Sequence, residues 1–303
     1  MMGTLSVSAV LVTYNRLELL SKSIQKVLSQ DVDRLKHLII IDGASTDGTR
    51  EYLDNLSDSR LIIVHLSENI GGAGGFNLGI RTFFEQTNDD FVWLMDDDSM
   101  PTANALTNLL DMFDNNKLAG WGASKVVWTD GNWAKMNIPG LLNGNKRRIY
   151  QGDEKWLPIK HATFVSTIFK RDLIKKIGLP QKEYFIWGDD IEYTERAARA
   201  MSGYLVRQSI VIHASQFNSE PGDIVGEVVV SRLPRYLFEY RNRLLTARRR
   251  HSNLKLIKTL GHSVLDLLKT LFLPGVQYRG QKIKLIVKGT INGFKFDPDI
   301  EKL

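Results

Sequence analysis

The chain has 303 residues, 43% of them hydrophobic and 24% charged. That balance supports one large folded domain with an appended region and excludes a disordered protein. There is no cysteine, which excludes disulfides and thiolate metal sites. The net charge of +6 is uneven: residues 232–303 carry 16 Lys and Arg against 5 Asp and Glu, while the other 231 residues carry 24 against 29. A neutral-to-acidic body joined to a basic end calls for an anionic partner, a membrane or a nucleic acid.

The opening segment, MMGTLSVSAVLVTYNR, has neither a basic leader nor a small-residue cleavage site, so Val7 to Val12 reads as a first strand and not as a signal peptide. Leu17, Leu20, Ile24 and Leu28 follow at helical spacing. Leu38 to Ile41 is a second strand ending at Asp42, and Leu61 to Val64 a third. Gly74 to Phe84 reads as a helix, and Phe91 to Met95 as a fourth strand running into Asp96, Asp97 and Asp98. Residues 119–170, with Trp121, Trp128, Trp133 and Trp156, read as strands and loops. Helices are expected after Arg171 and from Asp189 to Met201, and a strand from Tyr204 to Ile212 ends at His213. From Pro234 onward the pattern is helical and basic, broken at Gly261, Pro274 and Gly275. The expected division is a domain over 1–231 and a basic helical region over 232–303. No run reaches the roughly 18 uncharged apolar residues of a spanning helix; the most apolar late segment, Val264 to Pro274, contains Asp266 and Lys269.

Strands alternating with helices predict a mostly parallel sheet covered on both faces, with ligands gathering beyond the carboxyl ends of its strands. Thr13 to Arg16, Asp42 and Asp96 to Asp98 all fall at such ends. Alternate residues of an extended chain face one way, so Asp96 and Asp98 can converge on one cation that would bridge the phosphates of a nucleotide. A solvated loop or a helix cap is the plain alternative for such a triplet. The segment from Asp42 to Thr49 is in part turn and cap chemistry, which leaves Asp42 able to accept from a base N–H or a ribose hydroxyl. Asn69-Ile70-Gly71-Gly72-Ala73-Gly74-Gly75-Phe76 is a glycine-rich loop opening a helix. Its spacing fits neither common nucleotide-loop motif, and close helix–sheet packing also explains such glycines. Trp187-Gly188-Asp189-Asp190-Ile191-Glu192-Tyr193 sets three carboxylates beside aromatics at a helix start. They can serve as caps offsetting the dipole or as a base for a sugar hydroxyl.

In this order the segments resemble the family-2 inverting glycosyltransferases of GT-A fold, over roughly residues 7–215. The glycine loop and the Trp-Gly-Asp-Asp-Ile-Glu-Tyr segment look most like bacterial galactofuranosyltransferases and the related rhamnosyltransferases. Gly188 is a departure, because several relatives place the tryptophan directly before the acidic pair. The resemblance implies that Thr13, Arg16, Asp42 and Asn69 hold the nucleotide, with Asp97 against the ribose or donor sugar. It implies Asp96, Asp98 and His213 as ligands of Mn²⁺ or Mg²⁺, a donor set that chemistry also favours. Asp190 would be the base, with Trp187, Asp189 and Glu192 supporting it or binding acceptor. The implied reaction transfers galactofuranose from UDP-galactofuranose to a polyprenyl-diphosphate-linked or growing surface glycan. The alternative donor is dTDP-rhamnose.

A nucleotidyltransferase is disfavoured because there is no basic glycine-rich loop near the N-terminus. A nucleic-acid-binding module is disfavoured because acidic strand ends repel phosphates. The basic region, with Arg241, Arg243, Arg248, Arg249 and Arg250 among Leu237, Leu244 and Leu245, and with Lys282, Lys284 and Lys288 around Ile283, Leu285 and Ile286, reads as a surface for the cytoplasmic face of an anionic membrane. A homo-oligomer contact is its alternative.

Overall fold

Four apolar runs pair side by side in parallel and set the frame of the molecule. They are β1 (Val7–Thr13), β2 (Leu35–Asp42), β3 (Leu61–His65) and β4 (Phe91–Asp96), in the order β3-β2-β1-β4. The computed structural model describes residues 5–144, 147–218 and 222–303. Beyond β4 the sheet continues through β9 (Thr167–Lys170), antiparallel to both neighbours, then β6 (Ala119–Trp128) and β10 (Ser202–His213), which run parallel to each other. The short β8 (Trp156–His161) and β7 (Gly140–Leu141) close the far edge, and β5 (Ser99–Pro101) lies against the end of β10. The sheet is therefore mixed and mostly parallel, as its sequence pattern predicts.

Near-continuous apolar strands arise because both faces are covered. Alternate side chains divide between two cores. Ala9, Leu11, Leu38, Ile40, Trp93 and Met95 pack with α1 (Leu17–Leu28) and α4 (Ala105–Asn115). Val10, Ile39, Ile41, Val92 and Leu94 face Phe76, Ile80 and Phe83 of α3 (Gly71–Gln86) and Leu173 and Ile174 of α6 (Arg171–Ile177), with Tyr193 of α7 (Asp189–Ala200). The glycines of α3 partly serve this packing: a Cβ at Gly75 would run into Val12 and one at Gly79 into Val10. Gly72, in contrast, has open space around it.

The helix α3 begins three residues before the predicted start, and a short α5 (Arg147–Gln151) interrupts the strand-rich middle. The C-terminal region is helical: α8 (Arg235–Arg249), α9 (Asn253–Phe272) and α10 (Arg279–Lys295). Gly261 does not break α9, which runs through it, because one glycine costs only about 1 kcal/mol in a helix. The breaks at Pro274 and Gly275 fall between α9 and α10 as expected. Gly289 and Gly293 let α10 press onto α8, where a Cβ would meet the backbone oxygens of Leu237 and Arg241. The last residues return to the loop after α6. Leu179 N donates to Glu301 O at 2.9 Å, and Gln181 Nε2 donates to Pro298 O at 3.1 Å and to Asp299 O at 2.8 Å.

Candidate active site

Parallel register brings the predicted strand ends into one row. Thr13 lies opposite Asp42, Val12 opposite Asp96, and Asp42 opposite His65. The turns leaving β1 and β2 are knitted together. Asn15, in a left-handed conformation (φ 53°), accepts from Thr46 N at 2.7 Å and donates its own N–H to Ser45 Oγ at 2.9 Å. Leu17 N, at the start of α1, donates to Asp47 at 3.0 Å. Asp42 is buried, with Oδ1 accepting from Ser45 N at 3.0 Å and Oδ2 2.9 Å from His65 Nδ1. The other ring nitrogen of His65 reaches Asp54 at 3.1 Å. Asn69 is exposed and accepts from Gly71 N at 2.8 Å, which opens α3.

The three aspartates after β4 have different surroundings. Asp97 is turned toward the β1 loop, accepting from Thr13 Oγ1 at 2.8 Å, with Arg16 Nη1 at 3.3 Å. Arg16 Nη1 also lies 2.6 Å from Asp98 Oδ2. His213 pairs with Ser99 of β5, which sets its Nε2 3.2 Å from Asp98 Oδ1. No donor is well aligned on that buried oxygen. Asn137 Oδ1, 2.9 Å from His213 Nδ1, fixes the ring so that Nε2 faces Asp98. Burial and the repulsion of Asp98 push Asp96 up to about 7, against the attraction of His213. Burial pushes Asp97 up to about 6 in spite of Arg16. For Asp98 burial acts upward, but His213 and Arg16 outweigh it and hold the carboxyl below its ordinary value. His213 is shifted upward, its burial being outweighed by Asp98.

A crowded carboxylate cluster beside an imidazole, with one buried oxygen lacking an aligned donor, is a hard donor set suited to Mg²⁺ or Mn²⁺. Among the described residues no three such donors close around a single point, and Arg16 supplies the positive charge at Asp98.

A second acidic group stands at the start of α7. Asp189 is buried and driven well above its ordinary range, first by burial, then by repulsion from Asp190 and from Asp96 of the strand-end row. Asp190 Oδ1 accepts from Ile191 N at 2.7 Å, and burial with the neighbouring Glu239 pushes this carboxyl up to about 6. A carboxylate deprotonating near neutrality beside an apolar wall can act as a general base. Trp187 forms part of that wall, edge-on to Tyr236 of α8 with ring centroids 5.2 Å apart. Glu192 has a different task. It is buried in a bidentate pair with Arg196 (3.1 and 2.9 Å), with Arg249 at 3.5 Å, so its carboxylate anchors α7 and is not offered to a ligand.

The fold thus draws together Thr13, Arg16, Asp42, Asp96, Asp97, Asp98 and His213, and places Asp189 within electrostatic reach of them. Sequence reading missed His65, Asn137 and the α8 residues behind Trp187. His65 had a signal, because it too ends a parallel strand. Asn137 had none.

With that geometry established, relatives sharpen the reading. The model of the family described as glycosyl transferase family 2 matches residues 8–178. The galactofuranosyltransferase GlfT1 of Mycolicibacterium smegmatis is 30% identical over 203 residues, covering 64% of this chain and 66% of that protein. GlfT1 of Mycobacterium tuberculosis is 32% identical over 208 residues, covering 65% and 66%. The match therefore spans just under two thirds of either relative's length. In solved structures, the mannosyltransferase PcManGT of Pyrobaculum calidifontis in complex with GDP-Man and Mn²⁺ superposes with a TM-score of 0.58 at 15% identity, covering 97% of this chain and 88% of that one. GalNAc-T7 with UDP, GalNAc and Mn²⁺ gives 0.61 at 14% identity, covering 81% and 48%. These likenesses establish the GT-A fold, and the family match over more than half the chain identifies the protein as a member of glycosyl transferase family 2.

Proposed function

We propose that the chain transfers galactofuranose from UDP-galactofuranose, with inversion, to a lipid-linked or growing cell-surface glycan. The observation that carries this reading is that a second buried acidic group, at the start of α7, lies within electrostatic reach of the strand-end row through Asp96 and Asp189. The strand-end row from Thr13 to Asp98 suits a nucleotide diphosphate, and Asp189–Asp190 suit an acceptor hydroxyl. The choice of sugar rests on the similarity to GlfT1. A lipid-diphosphate acceptor is favoured by a further relative, 21% identical over 70% of this chain, named an α-D-GlcNAc-diphosphoundecaprenol β-1,3-glucosyltransferase from Escherichia coli.

In this mechanism Asp42 accepts from the nucleoside, Thr13 and Asp97 orient the ribose or the donor sugar, and Arg16 offsets charge on the diphosphate. Asn69, just before α3, would add a polar contact to the nucleotide. Asp96, Asp98 and His213 would hold Mn²⁺ or Mg²⁺, which would supply charge stabilisation to the leaving diphosphate. Asp190 takes the proton of the acceptor hydroxyl as its oxygen bonds the anomeric carbon. The bond to the diphosphate breaks from the opposite face, and its electron pair leaves with UDP. Burial keeps Asp190 basic enough for that transfer, and the wall of Trp187 and Tyr236 limits water.

Among the described residues no helix is long and apolar enough to cross a membrane. The proposed location is peripheral, on the cytoplasmic face of the cell membrane, where a polyprenyl-linked acceptor would be reached. The arginines of α8 do not form that surface, contrary to the sequence expectation. Arg241 and Arg248 donate to backbone carbonyls, Arg243 binds Ser263 and Asp266, Arg249 binds Gln181 and Pro298, and Arg250 grips Glu195 in a bidentate pair. Lys282 is also buried, donating to Val225 O at 2.9 Å. The exposed face comes from α9 and α10. Ile257, Val264, Leu268, Phe272, Val287 and Ile291 stand among Lys255, Lys258, Lys269, Lys284 and Lys288. Such a face suits an anionic interface.

The test of the donor is release of the matching nucleoside diphosphate and product mass after incubation with UDP-galactofuranose, dTDP-rhamnose and other sugar nucleotides in the presence of Mn²⁺. Turnover of UDP-galactofuranose supports the proposal. Turnover of dTDP-rhamnose alone contradicts it.

A further inference from the structure

Between Tyr184 and Asp189 the backbone is left-handed at Phe185 (φ 63°), Trp187 (φ 65°) and Gly188 (φ 89°). Two of these residues carry bulky side chains that disfavour such a conformation. The loop is shaped from outside. The Asn242 amide, 1% exposed on α8, directs Nδ2 at Tyr184 O (2.9 Å), Ile186 O (3.0 Å) and Trp187 O (2.9 Å). Its two N–H bonds are shared among three carbonyls, and its Oδ1 accepts from Arg241 Nε at 3.0 Å. Arg241 Nη2 reaches Glu183 O at 2.5 Å and Tyr184 O at 3.2 Å. The remaining carbonyl, Phe185 O, accepts from Ala73 N at the start of α3. Rings reinforce the grip: Phe185 stacks on Phe238 at 4.8 Å, and Tyr184 Oη bonds Thr246 Oγ1 at 2.9 Å. Asp189 and Asp190 are the first two residues after this loop, and the start of α7 has no side-chain cap of its own.

We propose that Asn242 is a positioning residue for acceptor activation: by gathering the carbonyls of Tyr184, Ile186 and Trp187 it fixes the left-handed exit that aims Asp189 and Asp190 at the acceptor hydroxyl. It touches neither carboxylate, and it leaves the strand-end row to its own contacts. This rests on the transferase reading above.

The experiment compares the full chain with Asn242→Asp, which keeps the side-chain size but replaces the shared donors with a carboxylate oxygen. Four quantities are read: UDP affinity with Mn²⁺ by calorimetry, donor hydrolysis without acceptor, kcat for transfer to a synthetic polyprenyl-diphosphate-linked GlcNAc glycan, and amide exchange over 183–190. The expected result is a kcat about 10²-fold lower, the usual cost of an ångström-scale misplacement. UDP affinity and hydrolysis should stay within about threefold, and exchange over 183–190 should be faster. Transfer within threefold of the parent overturns the proposal, and so does a parallel fall in affinity, hydrolysis and transfer. Should Asn242→Asp not fold, Arg241→Gln decides: a kcat-selective loss of about tenfold supports the proposal, and unchanged kcat and exchange overturn it. A parent chain with no transfer to any sugar acceptor defeats the transferase reading alone, because the exchange of 183–190 still tests what Asn242 holds.

Discussion

The two walls of the proposed site, one for the donor and one for the acceptor, are built differently. The donor wall is local: each of its acidic groups ends a parallel strand, and the pairing of β1 with β2 and β4 sets Thr13, Asp42 and Asp96 in register. The acceptor wall is borrowed: Asp189 and Asp190 leave a loop whose carbonyls are claimed by Asn242 and Arg241 from α8 and by Ala73 from α3. A site made by sheet register tolerates change in distant helices. One made by a gripped loop does not, so on this proposal α8 belongs with the catalytic unit although it lies in the basic C-terminal region.

The largest expected effect tests the donor wall. Asp98→Ala, or chelation of the parent by EDTA, should lower both transfer and donor hydrolysis by on the order of 10³-fold, because charge stabilisation at the diphosphate is worth several kcal/mol. Circular dichroism should be unchanged. Full activity in excess EDTA would remove the cation from the account and leave Arg16 as the charge at Asp98.

The next effect tests whether Glu192 belongs to chemistry or to architecture. Glu192→Gln leaves Arg196 and Arg249 without their buried carboxylate, and breaking such a pair costs about 3–5 kcal/mol. Thermal unfolding should therefore shift strongly downward, while kcat per folded molecule changes by less than about threefold. An unchanged melting temperature with lost transfer would return Glu192 to the acceptor.

The smallest effect concerns the outer face. Lys284→Glu with Lys288→Glu should weaken sedimentation with anionic liposomes by several-fold per residue, each basic side chain near such a surface contributing about 1 kcal/mol. Binding to neutral liposomes should be little altered. Loss of binding to neither would favour a contact between copies of the chain, visible by light scattering.

How much of this was legible in the sequence follows the same division. Continuous apolar runs gave β1 to β4, with acidic ends at β2 and β4, because a strand buried on both faces reads as an unbroken apolar run and a parallel sheet's ligand edge is a local rule. The glycine run at Gly71 to Gly75 was ambiguous for a physical reason: Gly75 and Gly79 make room for β1, while Gly71 sits under Phe185 O and Gly72 faces open space. The charges of α8 were visible but their direction was not. Arg250 pairs with Glu195 and Arg249 reaches Gln181, partners far away in sequence. Asn242 could not be singled out, because its partners are main-chain carbonyls that no side-chain pattern marks.

The most direct measurement of the central claim, that the walls are separable, is the pH profile of transfer and of donor hydrolysis for the parent and for Asp190→Asn. Burial, with Glu239 nearby, pushes Asp190 up to about 6, and a base works when deprotonated, so transfer by the parent should rise as pH increases through about 6. In Asp190→Asn transfer should fall by roughly 10²–10⁴ and lose that limb, while UDP binding and donor hydrolysis persist. Near-normal transfer by Asp190→Asn, or a matching loss of UDP binding, would contradict the account.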